Sequence, residues 1–252
     1  MPRFFIPSPQ LDLEGGTLYL VGDDAHHIAR SLRMAVGDTI VVCDMHGTAH
    51  TCRLLQIRDD RVDAEILESQ EGTTESPCYI HLYMAYPKGD KLETVIQKAV
   101  ELGASRITPF ESERCVKRPD PSKFAKLQER FSRIAEEAAK QCGRTRIPRV
   151  DTPISYSQML RDGVSYDLPL FCYEGDDTTS LKIVFENNPV PATISVVVGA
   201  EGGFSLKEAE EAKKAGFHMV NLGSRILRCE TAPAYVLSSI SYAYELEGQQ
   251  EY

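Results

Sequence analysis

The 252-residue chain is 42% hydrophobic and 26% charged, a composition that supports a packed core under a solvated surface. Its formal net charge of −9 excludes a globally basic nucleic-acid binder, so any RNA contact must come from basic residues focused on one face. No apolar stretch is long enough to cross a bilayer, no signal peptide is visible, and seven scattered cysteines without CxxC spacing argue against a disulfide framework or a zinc site. The expectation is a cytoplasmic protein with free thiols, no bound metal and no membrane association.

The first part of the chain reads as short strands. Thr17–Val21 and Thr39–Cys43 come first, then a turn at Met45–Gly47, then Thr51–Ile57. Arg61–Leu67 alternates polar and apolar residues, as a half-buried strand does. One short helix, Ala25–Met34, interrupts them. Strands around hairpins predict a small β-barrel. The polar, breaker-rich segment Ser69–Pro77 marks the boundary between a first domain, 1–72, and a second, 73–252.

The second part alternates strand and helix. Cys78–Tyr86 reads as a strand. Asp90 with Glu93 has capping-box spacing, and the helix it opens stops at Gly103. Arg106–Phe110 is a strand and Ser122–Cys142 a long amphipathic helix ended by Gly143. Leu168–Tyr173 and Thr193–Val198 are apolar runs of buried-strand type. Ser205 with Glu208 is a second capping box, opening a helix to Gly216; His218–Leu222 is a strand, and a last helix admits Pro233 near its first turn. This order is α/β, with a mostly parallel sheet covered by helices on both faces.

Two segments carry the chemistry, each at the carboxyl end of a predicted strand, where open α/β sheets bind ligands. Gly199-Ala200-Glu201-Gly202-Gly203-Phe204-Ser205 lets a ligand approach the main chain closely, and is otherwise a tight strand-to-helix turn. Asn221–Ala232 sets Arg225 and Arg228 around Ile226 and Leu227; arginine beside apolar residues pairs with an acid or contacts a ligand, so Arg228 either meets Glu230 or Glu201 or faces a substrate. The dinucleotide fingerprint, the phosphate-binding lysine loop, HExxH and GxSxG are all absent from the sequence.

Together these segments closely resemble the two cofactor-loop signatures of the ribosomal small-subunit methyltransferase E family. Its members are uridine N3-methyltransferases of 16S ribosomal RNA within the SPOUT superfamily. His26–Met34 with Gly37-Asp38, Lys88–Lys91, Gln97–Gly103 and Gln141–Arg144 with Pro148 resemble further family patterns in the same order. The resemblance spans nearly the whole chain. It departs at Ala200, where the family usually has Pro, and at Cys229, where it usually has Thr.

The resemblance implies a PUA-like β-barrel followed by an α/β domain with a C-terminal trefoil knot, S-adenosylmethionine as cofactor, 16S rRNA or the small ribosomal subunit as partner, and a homodimer. It implies a cofactor site of Phe171, Gly199, Ala200, Glu201, Gly202, Gly203, Leu222, Gly223, Ile226, Leu227, Arg228 and Ala232. Uridine N3 is a poor nucleophile until its proton leaves, so a cation near the uracil oxygens assists. Arg228 is assigned that role, and Glu201 is a general base, a cofactor anchor or a residue that only orders its own loop. Arg30, Arg33, Lys88, Lys91 and Arg144 are the expected RNA contacts. Attack by Cys229 on uracil C6 is the rival chemistry; packing is the usual fate of such a thiol. A non-catalytic RNA-binding protein would not need two intact cofactor segments, and an oxidoreductase lacks its fingerprint.

Overall fold

The computed structural model describes residues 1–118, 120–189 and 191–245. It divides into two compact units, Met1–Glu75 with Ala139–Ile147, and Ser76–Ala138 with Pro148–Tyr252. Residues 246–252 of the expected second domain lie outside the described residues.

In the first unit, β1 (Arg3–Phe5), β2 (Leu11–Asp12), β3 (Thr17–Val21), helix α1 (Asp23–His26), β4 (Thr39–Cys43), β5 (Thr48–Ile57) and β6 (Arg61–Glu71) follow in chain order. The strands form one sheet in the order β1-β4-β5-β6-β3-β2, antiparallel except for β1 beside β4. Strand alternation turns Leu18, Leu20, Ile40, Val42, Leu54 and Val62 into a shared core, closed by Ala25 and Ile28 from the helical segment. The hairpin between β4 and β5 turns at Met45 and Gly47, both at positive φ, and the Asp44 carboxylate accepts the amides of His46 and Thr48 at 2.8 and 3.0 Å.

The expected helix over Ala25–Met34 is broken. After α1 the turn widens through Ser31, with the Leu32 amide donating to the His27 carbonyl, and the chain leaves at Arg33 in the left-handed region. Arg30 and Arg33 therefore do not share a regular helical face, and Arg30 is paired with Asp59. The polar stretch taken as a boundary is also partly strand, because β6 continues to Glu71 with polar side chains on a solvated face.

Within this unit Arg144 is a structural residue, which corrects its assignment to RNA. Its side chain is 4% exposed, and its Nη2 donates to Glu75 Oε2 at 2.6 Å. The amides of Thr145 and Arg146 donate to the other oxygen at 3.0 and 3.2 Å. Burial alone would raise the Glu75 pKa, but Arg144 and the two amides outweigh it and hold the carboxyl below the ordinary range. The unfolded chain then takes up this proton at higher pH than the folded one. The stabilisation is complete above the ordinary glutamate range and disappears as pH falls through the depressed value. Glu75→Gln should cost about 2–3 kcal/mol at neutral pH, at or below the buried-pair range because the carboxylate keeps some exposure. Urea unfolding across pH checks this: the gap between wild type and variant should close in acid.

The second unit runs β7 (Tyr79–Ala85), α2 (Lys91–Glu101), β8 (Arg106–Glu111), α3 (Phe124–Cys142, its last turn counted in the first unit), β9 (Arg149–Val150), β10 (Ile154–Ser155), α4 (Tyr156–Gly163), β11 (Leu168–Cys172), β12 (Thr179–Ser180), α5 (Leu181–Asn187), β13 (Thr193–Val198), α6 (Leu206–Ala215), β14 (His218–Asn221) and α7 (Thr231–Tyr244). All pairings are parallel, in the order β10-β8-β7-β13-β11-β14-β12 with β9 also on β8. The β11 and β13 runs are buried almost throughout, as strands covered on both faces are.

Two capping expectations have different outcomes. Ser205 and Glu208 form the reciprocal box that opens α6, and Gly216 ends it at φ 108. Asp90 occupies the N-cap of α2 but makes no side-chain cap, and its expected box partner Glu93 pairs with Arg130 at 2.8 Å. In α7, Leu237 and Ile240 are core while Tyr235 and Tyr242 remain exposed.

Candidate active site

The loops after β11, β13 and β14 enclose a cavity of about 490 Å³ at the carboxyl edge of the parallel sheet. The β13 strand delivers Gly199, Ala200, Glu201, Gly203 and Phe204 to its wall; β14 delivers Asn221 through Cys229, and α7 adds Ala232. The first loop is tight. The Gly203 amide donates to the Ala200 carbonyl at 3.0 Å, and Gly203 sits at φ +60, which disfavours any side chain there. The second loop ends where the Arg228 carbonyl accepts the amides of Thr231 and Ala232 at 2.8 and 2.9 Å, starting α7.

Of the expected cofactor residues, Phe171 and Gly202 are not on the wall. Phe171 is fully buried below it, with its ring 4.2 Å from that of Phe204, so it supports a wall residue without lining the cavity. Gly202 faces away, since a Cβ there would meet the Cβ and carbonyl of Arg114 at 3.0 and 3.2 Å. The missing third wall is Cys172, the last residue of β11, with Tyr173 and Glu174 just after it. Their signal in the sequence was positional: they follow an apolar strand of the same parallel sheet, at the edge where ligands bind.

Lys91 joins the two loops. From the start of α2 its Nζ lies 3.0 Å from Glu201 of the first loop and 3.4 Å from Glu230 of the second. Lys88 donates its backbone amide to Glu201 at 3.2 Å. Burial would raise the Glu201 pKa, but the residue's own amide, Lys91 and the Lys88 amide prevail and lower it. The Glu230 pKa is lowered chiefly by its own amide and the Cys229 thiol. Lys91 is raised, first by its hydrogen bond to Glu201. Lys91 is thus paired with these carboxylates and is not the free cation its place at a helix start suggested. The same commitment leaves Arg228 without an Arg–Glu pair: Arg225 and Arg228 are exposed and form no salt bridge with any described residue.

Cys229 is 6% exposed, and burial, with help from Glu230, pushes its thiol up to about 12. A protonated, buried thiol is a weak nucleophile, so the structure favours packing as the role of Cys229.

A second cavity of about 410 Å³ lies near the amino ends of β7 and β8, lined by polar residues. Thr108 donates to Asp151 at 2.5 Å, so His81 Nε2, 2.7 Å from the Thr108 hydroxyl, carries the ring proton, and Nδ1 accepts from Tyr166 at 2.6 Å. Burial lowers the His81 pKa to about 3, leaving the ring neutral. This chain of buried, mutually hydrogen-bonded groups is a network at the edge opposite the glycine loops.

A family profile described as an RNA methyltransferase domain matches residues 74–241, and one described as an RNA methyltransferase PUA domain matches residues 20–67. The ribosomal RNA small subunit methyltransferase E of Bacillus subtilis (strain 168) is 36% identical over 98% of both chains. The chain belongs to the ribosomal RNA small subunit methyltransferase E family. The Synechocystis protein of that name is 32% identical over 95% of this chain and 77% of its own. The crystal structure of the Neisseria gonorrhoeae ribosomal RNA small subunit methyltransferase E bound to S-adenosyl methionine superposes with a TM-score of 0.83, at 33% identity over 97% of this chain and 98% of that one. The mixed α/β fold carries a PUA domain, as the sequence implied. No helix is long and apolar enough to cross a membrane, and no cluster of metal-binding side chains occurs, both among the described residues.

For this family member the buried Cys229 gives a direct check. Cys229→Ser should retain near-wild-type methyl transfer, and in the native protein Cys229 should resist iodoacetamide at neutral pH, followed by peptide mass spectrometry.

Proposed function

We propose that the chain transfers a methyl group from S-adenosylmethionine to N3 of a uridine in 16S rRNA of the small ribosomal subunit, working in the cytoplasm as a homodimer. The observation that carries this reading is the single cavity built by both glycine-rich family loops, with Arg228 exposed at its wall and in no salt bridge among the described residues. In the same reading the first unit is a closed PUA-like barrel and the loops after β13 and β14 belong to a trefoil knot.

The cavity's residues fit the cofactor. Its wall combines glycine-rich backbone for close approach with the carboxylates Glu174 and Glu201, which complement a cationic sulfonium and ammonium. When bound, S-adenosylmethionine supplies an electrophilic methyl group without a metal. Gly199, Ala200, Gly203, Leu222, Gly223, Ile226, Leu227 and Ala232 would hold it, with Tyr173 and Glu174 added. Glu201 is depressed and ion-paired, which favours anchoring over proton abstraction. Arg228 remains free to stabilise the negative charge that grows on a uracil oxygen as the N3 proton leaves.

Labelled cofactor and small subunits from cells lacking this gene test the reading. N3-methyluridine in the digested RNA is the expected product, and cofactor binding without any methylated nucleoside would overturn it. Arg228→Ala should slow transfer about 100- to 1,000-fold, the usual cost of losing one charge-stabilising donor, with cofactor affinity near wild type by calorimetry. Lys91→Met should act in the opposite way. It releases two partly buried carboxylates and weakens cofactor binding about fivefold, roughly 1 kcal/mol, with the larger effect on KM than on kcat and recovery in Lys91→Arg.

A further inference from the structure

Three of the five basic residues expected to meet RNA, Arg30, Lys91 and Arg144, are paired with acids. The segment Ser112–Arg118, which follows β8, carries three further basic residues. Its root is fixed. Ser112 and Cys115 close a turn in which the Cys115 amide donates to the Ser112 carbonyl at 3.1 Å. The Glu113 amide donates to Glu208 Oε1 at 2.8 Å, and the Ser205 hydroxyl donates to the Glu113 carboxylate at 2.7 Å. The only acid within this segment is thereby turned toward α6.

Its basic residues are turned outward. Arg114, Lys117 and Arg118 are all exposed, and none forms a salt bridge with a described residue. Arg114 Nη1 donates to the Gly202 carbonyl at 3.1 Å, so the segment rests on the back of the first cofactor loop. Gly202 makes this close approach easy, because a Cβ there would sit only 3.0 and 3.2 Å from the Arg114 Cβ and carbonyl. Lys117 Nζ lies 5.9 Å from the centre of the Tyr86 ring, just past the end of β7, and exposed Lys88 is two residues further on. Since β8, β7 and β13 are neighbours and parallel, all these groups leave the sheet at the edge that holds the cavity.

We propose that Ser112–Arg118 is a phosphate clamp for the RNA strand whose base enters the cavity, with Lys117 and Arg118 as the contacts and Arg114 as the strut that fixes the clamp to the cofactor loop. This rests on the methyltransferase reading above. A chain of net charge −9 needs a local, uncompensated set of cations to hold a polyanion, and this segment presents one beside the cavity. Phosphate contacts carry no sequence information; they set the register of the strand, leaving the choice of base to the cavity.

The test is the double variant Lys117→Gln/Arg118→Gln. Both side chains are exposed and form no salt bridge among the described residues, so folding is retained and is checked by circular dichroism. Binding of a fluorescein-labelled single-stranded RNA is followed by anisotropy over a range of salt, beside cofactor affinity by calorimetry and methyl transfer to small subunits. The clamp requires RNA affinity to fall about tenfold and the log–log salt slope to become shallower by about 1.4, two contacts at about 0.7 each, with cofactor affinity unchanged. Wild-type affinity and slope in the variant overturn it. A native protein that binds RNA through this segment yet transfers no methyl group supports the clamp while removing the methyltransferase reading, so the two fail separately.

Discussion

Every strand of the second sheet runs the same way, and the chemistry of the chain depends on that constraint. Parallel pairing sends the segments after β7, β8, β11, β13 and β14 out at one edge. Residues far apart in sequence, such as Lys91, Glu174, Glu201 and Arg228, meet there without any strand having to bend. The same constraint buries the strands on both faces and leaves recognition to the loops. It also separates the glycine-lined cavity from the His81–Asp151 network near the amino ends of β7 and β8.

Much of this was readable from periodicity and turn chemistry. Thr17–Val21, Thr39–Cys43 and Thr193–Val198 have the bounds their β-branched runs imply, because side-chain alternation or continuous burial marks them directly. The Ser205–Glu208 box was equally legible, since both partners lie within one turn. Short elements were not. The helices Tyr156–Gly163 and Leu181–Asn187 have eight and seven residues, too few for a period to stand out, and β9, β10 and β12 are two-residue pairings defined by their neighbours.

The site was legible in its loops and illegible in its pairings. Glycine-rich segments declare themselves, but the partner of a charged side chain is a tertiary fact. Lys91 and Arg144 look in sequence like free cations beside helix ends. In the fold one bridges Glu201 and Glu230 and the other is enclosed by Glu75. Phe171 failed for a related reason: alternation along β11 turns its ring into the core, and the wall begins one residue later.

Glu208 shows how narrow the chemical choice can become at a shared joint. Its side chain receives the Ser205 amide on one oxygen and the Glu113 amide on the other, at 2.9 and 2.8 Å. An ordinary capping box tolerates glutamate or glutamine at this position, because only one acceptor is used. Here two N–H groups from separate loops converge on one side chain. Glutamine would offer an oxygen to one and an N–H to the other, setting donor against donor. The twofold acceptor symmetry of a carboxylate is what allows a single residue to serve both loops.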